Sequence, residues 1–154
     1  MLFRSLAAFA PSQIAEEMDV NRFTPKKRPQ DKRSIAFICP TPPHLPPWGP
    51  DSIKAGIGGS EEAVINASRV FASKGWHVEV YCHSGRPCSQ GPLVDKHGVN
   101  WYRFESFAGG FDNPVDVAIS WRSPSLFKLT GVNAKAKYLW LHDIFQPGTW
   151  QAGV

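Results

Sequence analysis

The strongest constraint on the fold is the succession of an apolar strand, a long loop and an amphipathic helix. Residues 34–40 read SIAFICP, a continuous apolar run closed by proline, which is typical of a strand buried on both faces. Residues 60–75 carry apolar side chains near helical spacing, two glutamates in the first turn and a terminal glycine. Residues 77–82, HVEVYC, then alternate as a second strand. This order predicts a parallel βαβ unit.

Further strand patterns follow toward the C-terminus. We predict strands at residues 99–104, 115–121 and 137–143, and a short helix at residues 123–131. Strands that alternate with helices or long connections predict an α/β fold: one doubly wound, mostly parallel, Rossmann-like sheet over residues 34–154. Ligands of such sheets bind beyond the carboxyl ends of the strands, where the strand order reverses, commonly between the first and fourth strands. The polar groups that follow the first, fourth and fifth strands are therefore expected at one rim.

The N-terminal residues 1–33 are predicted to form a flexible basic extension, because their Pro- and Lys-rich stretch buries little apolar surface. They hold seven Lys and Arg against four Asp and Glu, a net of +3 in a chain whose formal net charge is +4. Since the remainder is near neutral and lacks RNA- or DNA-binding signatures, nucleic acid is not an expected partner. No run approaches the roughly 20 apolar residues of a membrane span. We expect a cytoplasmic protein, with organelle targeting by the extension left open.

Cysteine usage favours a reducing compartment. Cys39, Cys82 and Cys88 are odd in number and irregularly spaced, which disfavours a disulfide framework. Cys82, His83 and Cys88 lie close together in sequence, but no second ligand pair follows at zinc-finger spacing. We therefore expect buried or rim thiols and no metal site.

A glycine-rich segment, GIGGSEEAV at residues 56–64, ends the long loop before the helix. It differs from the dinucleotide fingerprint G-x-G-x-x-G, because Glu61 replaces the third glycine and the segment begins well after the first strand. The P-loop pattern G-x-x-x-x-G-K-[ST] is also absent. What remains is a helix N-terminus with N–H groups suited to an anion or to sugar hydroxyls. A tight turn capped by Ser60 is the alternative.

The segment GIGGSEEAVINASRVFASKGWHVEVYC resembles the start of a group 1, family 4 GT-B glycosyltransferase. Gly58, Gly59, Ser60 and Glu61, called the GGSE loop below, match the family's G-G-x-E motif, and VDVAISWRSP and KYLWLHDI resemble later strands of the same lobe. The resemblance covers residues 34 to about 150 and implies a single GT-B N-terminal lobe. It also implies hexosyl transfer from a nucleotide diphosphate sugar to an acceptor hydroxyl, without a cofactor or metal; no D-x-D occurs.

The resemblance implies where substrates bind. The GGSE loop would lie at the interlobe cleft, and His142 best matches a catalytic histidine near the reacting sugar, with Asp143 setting its tautomer or binding a hydroxyl. We add Arg122 as a candidate for an anionic group and Trp48 as a candidate for stacking on a sugar ring. The alternative for His142 is a ring hydrogen-bonded only to the backbone. For Arg122 it is a structural ion pair, and for Trp48 it is packing in the aromatic core.

The family's C-terminal lobe supplies most of the nucleotide-sugar site, including a Glu-x7-Glu signature, and nothing in this chain matches it. We therefore expect an acceptor-side lobe, a fragment inactive alone, whose partner is a C-terminal GT-B lobe in cis or in trans. Two other classes stay open. One is a non-catalytic Rossmann-like module that binds carbohydrate or an anion, and the other is a scaffold subunit that docks onto a separately encoded lobe.

Overall fold

The fold is built on a six-stranded sheet. The computed structural model describes residues 28–40, 45–84, 92–107, 114–124 and 132–142. The strands in chain order are β1 (Ser34–Ile38), β2 (His77–Cys82), β3 (Leu93–Val94), β4 (Asn100–Arg103), β5 (Val115–Trp121) and β6 (Ala134–Trp140). Helix α1 spans Gly59–Ser73, and short 3-10 helices span Ser52–Ala55 and Phe104–Phe107. The lateral order is β3-β4-β2-β1-β5-β6, with all neighbours parallel except β3 and β4. The predicted α/β class and mostly parallel sheet are confirmed.

The strand order reverses at β1. This strand pairs in parallel with β2 on one side and with β5 on the other, so Ile35 lies between Val78 and Val117. The chain runs from β1 through α1 to β2, and it reaches the opposite side of β1 only with β5. The reversal therefore lies between the first and fourth predicted strands, as expected.

The central position of β1 explains its uninterrupted apolar sequence. All five of its residues are buried. Ile35 and Phe37 belong to the core on the α1 side, whereas Ala36 and Ile38 belong to the core on the opposite face. Because neighbouring residues of a strand point to opposite faces, a strand covered on both faces needs apolar residues at every position.

Helix α1 begins one residue earlier than the sequence predicts. Gly58 is its N-cap, with φ −59° and ψ 145° and no side-chain capping bond, so Ser60 is not the cap that the alternative of a tight turn requires. Ser60 lies in the first turn, where its hydroxyl donates to Oε2 of Glu61 at 3.2 Å. The Glu61 carboxylate folds back over Gly58, where any Cβ would meet Oε2. The other end agrees with the sequence, since Gly75 follows the helix with φ 84°.

Strand boundaries differ from the predictions mainly at the edges of the sheet. β3 has only two residues, which are too few to show an alternating pattern in the sequence. It forms because a turn closed by Asp95 folds it antiparallel onto β4. β6 begins at Ala134 rather than Lys137, because pairing with β5 starts at Val115 and Ala134. Most of the predicted helix at 123–131 lies outside the described residues.

A buried carboxylate ties the end of the predicted extension to the sheet. Arg28 donates from Nε and Nη2 to the two carboxylate oxygens of Glu79, both at 2.7 Å. The two side chains are only 9% and 3% exposed. Tyr81 also donates its hydroxyl to Glu79 at 3.0 Å, and Nε2 of His77 lies 3.0 Å from the same carboxylate. The folded domain therefore includes residues 28–33, and residues 1–27 lie outside the described part of the chain.

The environment of Glu79 predicts acid sensitivity. Burial alone would raise its pKa, but hydrogen bonds with His77 and Arg28 outweigh burial and hold the pKa below its ordinary value. A carboxyl whose folded pKa is depressed adds stability above its unfolded pKa, about 4.3, and this stability disappears as the pH falls through the folded value. We expect the free energy of unfolding to drop below about pH 4.3, and to drop less steeply in Glu79→Gln. Urea unfolding between neutral and acid pH measures both slopes, and equal slopes would contradict the assignment.

Candidate functional site

The N-terminus of α1 lies beside the carboxyl end of β5. Glu61 Oε1, in the first turn of the helix, is 3.7 Å from Nη1 of Arg122, the residue directly after β5. Their side chains are 14% and 29% exposed, so this ion pair is shielded from water only in part. Because β1 and β5 flank the reversal of strand order, the contact lies at the place where such sheets bind ligands.

Arg122 is held in an uncommon backbone conformation. Its φ is 63°, in the left-handed region that residues other than glycine seldom adopt. Its contacts include a bond from its backbone N–H to the carbonyl of Trp140 at 3.0 Å and the pairing of its charge with Glu61. Its guanidinium carbon also lies 4.8 Å from the ring centroid of Trp121. Left-handed residues cluster at ligand-binding sites, where the surrounding structure offsets a cost of about 1–3 kcal/mol. The conformation supports Arg122 as a site residue.

His142 reaches the same corner from the end of β6. Its ring centroid lies 4.6 Å from that of Trp140 and 6.3 Å from that of Trp121. Nε2 of His142 and Nε1 of Trp121 are both buried and have no hydrogen-bond partner among the described residues. Buried polar groups are nearly always hydrogen-bonded, because leaving one unsatisfied costs about 1–3 kcal/mol. Two such nitrogens in one corner distinguish this part of the rim from the surrounding core.

The GGSE loop combines free space with a negative charge. A Cβ built on Gly59 meets no atom within 4 Å, and both glycines of the loop are exposed. The first helical hydrogen bond runs from the N–H of Glu62 to the carbonyl of Gly58, so the preceding amides lie ahead of the helical ladder. The carboxylate of Glu61 lies over this turn and disfavours a bare anion there. An uncharged hydroxyl, which both accepts and donates hydrogen bonds, fits these amides and this carboxylate better.

Trp48 is a core residue. It is 5% exposed, and its ring lies 6.3 Å from Trp101 and 5.9 Å from Trp121, centroid to centroid. Its backbone N–H donates to the carbonyl of His83 at 2.9 Å, which brings the described part of the proline-rich loop, residues 45–58, against the end of β2. The protein covers the aromatic face that a sugar ring would need, so we correct the stacking prediction for Trp48 to a packing role.

A second charged cluster, which the sequence patterns did not predict, lies at the same rim. Arg103, which ends β4, donates from Nε and Nη2 to Glu105 at 3.0 Å each. Nδ1 of His83, after β2, lies 3.9 Å from the same carboxylate. Burial opposes ionisation of Glu105, but its hydrogen bonds with Arg103 lower its pKa. The clue in the sequence was their position, since Arg103 ends β4, Glu105 comes shortly after it and His83 follows β2.

Over residues 28–40, 45–84, 92–107, 114–124 and 132–142, no three His, Cys, Asp or Glu side chains are grouped so as to hold a metal ion. Within the same ranges, no helix has both the length and the apolar character needed to cross a membrane.

The described residues thus bring the GGSE loop, Arg122 and His142 to one rim and leave Trp48 in the core. Asp143 lies outside them. The contact between Glu61 and Arg122 and the two unsatisfied nitrogens define the candidate site. Comparison of the chain with protein-family models, with curated proteins and with solved structures finds no match.

Proposed function

We propose that this chain is the acceptor-side, N-terminal lobe of a GT-B glycosyltransferase. It would take part in hexosyl transfer from a nucleotide diphosphate sugar to an acceptor hydroxyl. The observation that carries the proposal is the 3.7 Å contact between Glu61 and Arg122. It joins the loop that resembles G-G-x-E to the end of β5, at the reversal of strand order, where α/β sheets of this kind bind ligands.

The chemistry of the rim supports recognition of a hydroxylated substrate. The carboxylate of Glu61 is suited to accept a hydrogen bond from a sugar hydroxyl, and the amides ahead of the α1 ladder are suited to donate to one. His142 contributes a ring nitrogen that has no partner among the described residues and that either donates or accepts, depending on its tautomer. Such a set would orient a hydroxyl group through hydrogen bonds.

In the proposed reaction, a bond forms between the acceptor oxygen and the anomeric carbon while the bond from that carbon to the diphosphate breaks. The acceptor proton passes to the departing diphosphate oxygen, and the nucleoside diphosphate leaves with the remaining negative charge. The guanidinium of Arg122, at the end of β5, would meet part of that charge, and a second lobe would supply the remaining basic groups. His142 would bind the hydroxyl during the transfer.

A non-catalytic carbohydrate-binding module is the second candidate. Two ion pairs at the rim favour such a module: Arg122 with Glu61, and Arg103 with Glu105. In each pair the glutamate offsets positive charge that binding of a diphosphate would need. Such a module would bind sugar hydroxyls through the same loop and would transfer nothing.

Binding and turnover distinguish the two candidates. We expect a titration of the ¹⁵N-labelled chain with UDP-glucose, GDP-mannose and maltose, followed by amide NMR, to shift the signals of the GGSE loop and Arg122. The turn at Lys96 and His97, at the opposite end of the strands, serves as the internal reference. Nucleotide release by the protein in the presence of a second GT-B lobe then indicates the transferase. Maltose binding without nucleotide release indicates the module, and unshifted rim signals with all three ligands contradict both.

Replacing His142 by alanine should reduce turnover of the two-lobed enzyme at least tenfold, about 1.4 kcal/mol in activation free energy, with near-normal stability. Turnover should fall because the proposed site loses the ring that binds the acceptor hydroxyl. Stability should stay near normal because Nε2 of His142 makes no hydrogen bond within the described residues, so truncation removes no such bond. Steady-state kinetics and thermal unfolding measure the two effects. A large loss of stability with unchanged turnover would show that His142 only supports the packing of Trp140.

A further inference from the structure

Cys39 and Cys82 lie side by side on neighbouring parallel strands. β1 and β2 pair in register up to Ile38 and Tyr81, and the N–H of Cys39 continues the ladder by donating to the carbonyl of Tyr81 at 2.9 Å. The next pair in this register is Cys39 and Cys82. Both side chains belong to the core on the α1 side of the sheet, and both residues are 0% exposed. The two thiols therefore point to the same face from adjacent strands.

We propose that Cys39 and Cys82 are an oxidation site that forms a disulfide between β1 and β2. Adjacent strands lie about 4.8 Å apart, and disulfides join residues whose Cα atoms are about 4.4–6.8 Å apart. The spacing therefore permits the bond. The inference does not depend on the proposed function.

Hydrogen peroxide supplies the oxidising equivalents. One thiolate attacks a peroxide oxygen, the O–O bond breaks, and a sulfenic acid and hydroxide form. The second thiolate attacks the sulfenic sulfur, an S–S bond forms and the sulfenic oxygen leaves as water after protonation. In total, two thiols and one peroxide give one disulfide and two waters.

Burial makes oxidation of the two thiols slow. Desolvation raises the pKa of both thiols, and each also faces negative charge, Cys39 from Glu61 and Cys82 from Glu105. The thiolate that starts the reaction is therefore rare while Trp48 and the surrounding core cover the two sulfurs. The product carries no charge and suits the dry core, so oxidation should follow transient local opening around Trp48 and the two cysteines.

Oxidation also alters the loop that leads to the candidate site. Sγ of Cys82 donates to the carbonyl of Trp48 at 3.4 Å, and a disulfide sulfur has no proton to donate. The proline-rich loop would then keep its contact from the Trp48 N–H to the carbonyl of His83 but lose the one to Cys82. Oxidation of Cys39 and Cys82 thus removes one hydrogen bond from the segment that precedes the GGSE loop.

The test uses the full chain carrying Cys88→Ser, which leaves only the two cysteines of the site. After treatment with hydrogen peroxide, alkylation of remaining thiols in denaturant and proteolysis, we expect a peptide linking Cys39 to Cys82 and a mass lower by two hydrogens. The urea midpoint should rise relative to the reduced protein. Cys82→Ala in the same background is the control and should yield no linked peptide.

Two results would overturn the proposal. One is alkylation of both cysteines after peroxide treatment, which means that no bond has formed. The other is oxidation of either cysteine to a sulfinic acid without a linked peptide, which means that the second sulfur does not reach the first. Because the assay reads peptides from the folded chain with both cysteines intact, it does not rely on a core variant folding.

Discussion

Replacement of Glu79 by glutamine is expected to lower the free energy of unfolding by about 3–5 kcal/mol, because it removes one member of a buried ion pair. Glu79 is 3% exposed and accepts two hydrogen bonds from Arg28 and one from the Tyr81 hydroxyl. Glutamine keeps the shape but carries no negative charge and only one acceptor oxygen. The guanidinium of Arg28, 9% exposed, would lose the charge that compensates its burial. Urea unfolding at neutral pH measures the loss.

Glu105→Gln is the matched control for this prediction. Glu105 accepts the same two-bond fork from Arg103, but its side chain is 36% exposed. Solvent screens that pair, so we expect the control to lose no more than about 1 kcal/mol. Equal losses for the two variants would mean that burial does not set the strength of the Arg28 and Glu79 contact.

If the chain is the proposed lobe of a two-lobed glycosyltransferase, replacement of Gly59 by valine should lower turnover about 100-fold, or about 2.7 kcal/mol in activation free energy, while the lobe stays folded. The structure leaves open space where a Cβ would stand on Gly59, so the first side-chain carbon of valine meets no atom of the described residues within 4 Å. In the proposed site that space belongs to the substrate, which approaches the amides at the start of α1. Steady-state kinetics at saturating donor measures the loss, and circular dichroism with thermal unfolding monitors the fold.

Asn66→Val separates this effect from the weak helix propensity of valine. Asn66 is an exposed residue of the same helix, nearly two turns beyond Gly59. The Asn66→Val substitution adds a β-branched side chain to α1 but does not approach the rim. Turnover of this variant should therefore stay within about twofold of that of the unsubstituted protein. If Gly59→Val turns over as fast as Asn66→Val, the GGSE loop does not contact substrate.

Sequence patterns predicted the central part of the sheet well. The apolar run of β1, the alternation in β2 and the glycine after α1 each have a local cause, and the structure places all three as expected. The two-residue β3 could not be predicted, because its pairing depends on a turn that brings it back onto β4. The N-terminal boundary also failed, since the reason Arg28 is ordered lies in Glu79, 51 positions further along the chain.

The candidate site shows the same division. Strand ends in parallel sheets meet at one rim, so the sequence alone indicated that the GGSE loop and Arg122 would be neighbours. It had no means of pairing Glu61 with Arg122 specifically, nor of showing the left-handed backbone at Arg122. Trp48 was misjudged because a proline-rich loop favours exposure, whereas its N–H binds the His83 carbonyl and its ring fills the core.

The sequence by itself determined the α/β class, the parallel order around β1 and the rim at which polar groups gather, because these follow from periodicity and from the geometry of parallel strands. Only the tertiary structure decided which partners those groups have: Glu61 with Arg122, Glu79 with Arg28, and Cys39 beside Cys82. Such pairs join residues far apart in the chain. Their distances and burial arise only when the sheet, the helix and the loop pack together, and no local pattern contains them.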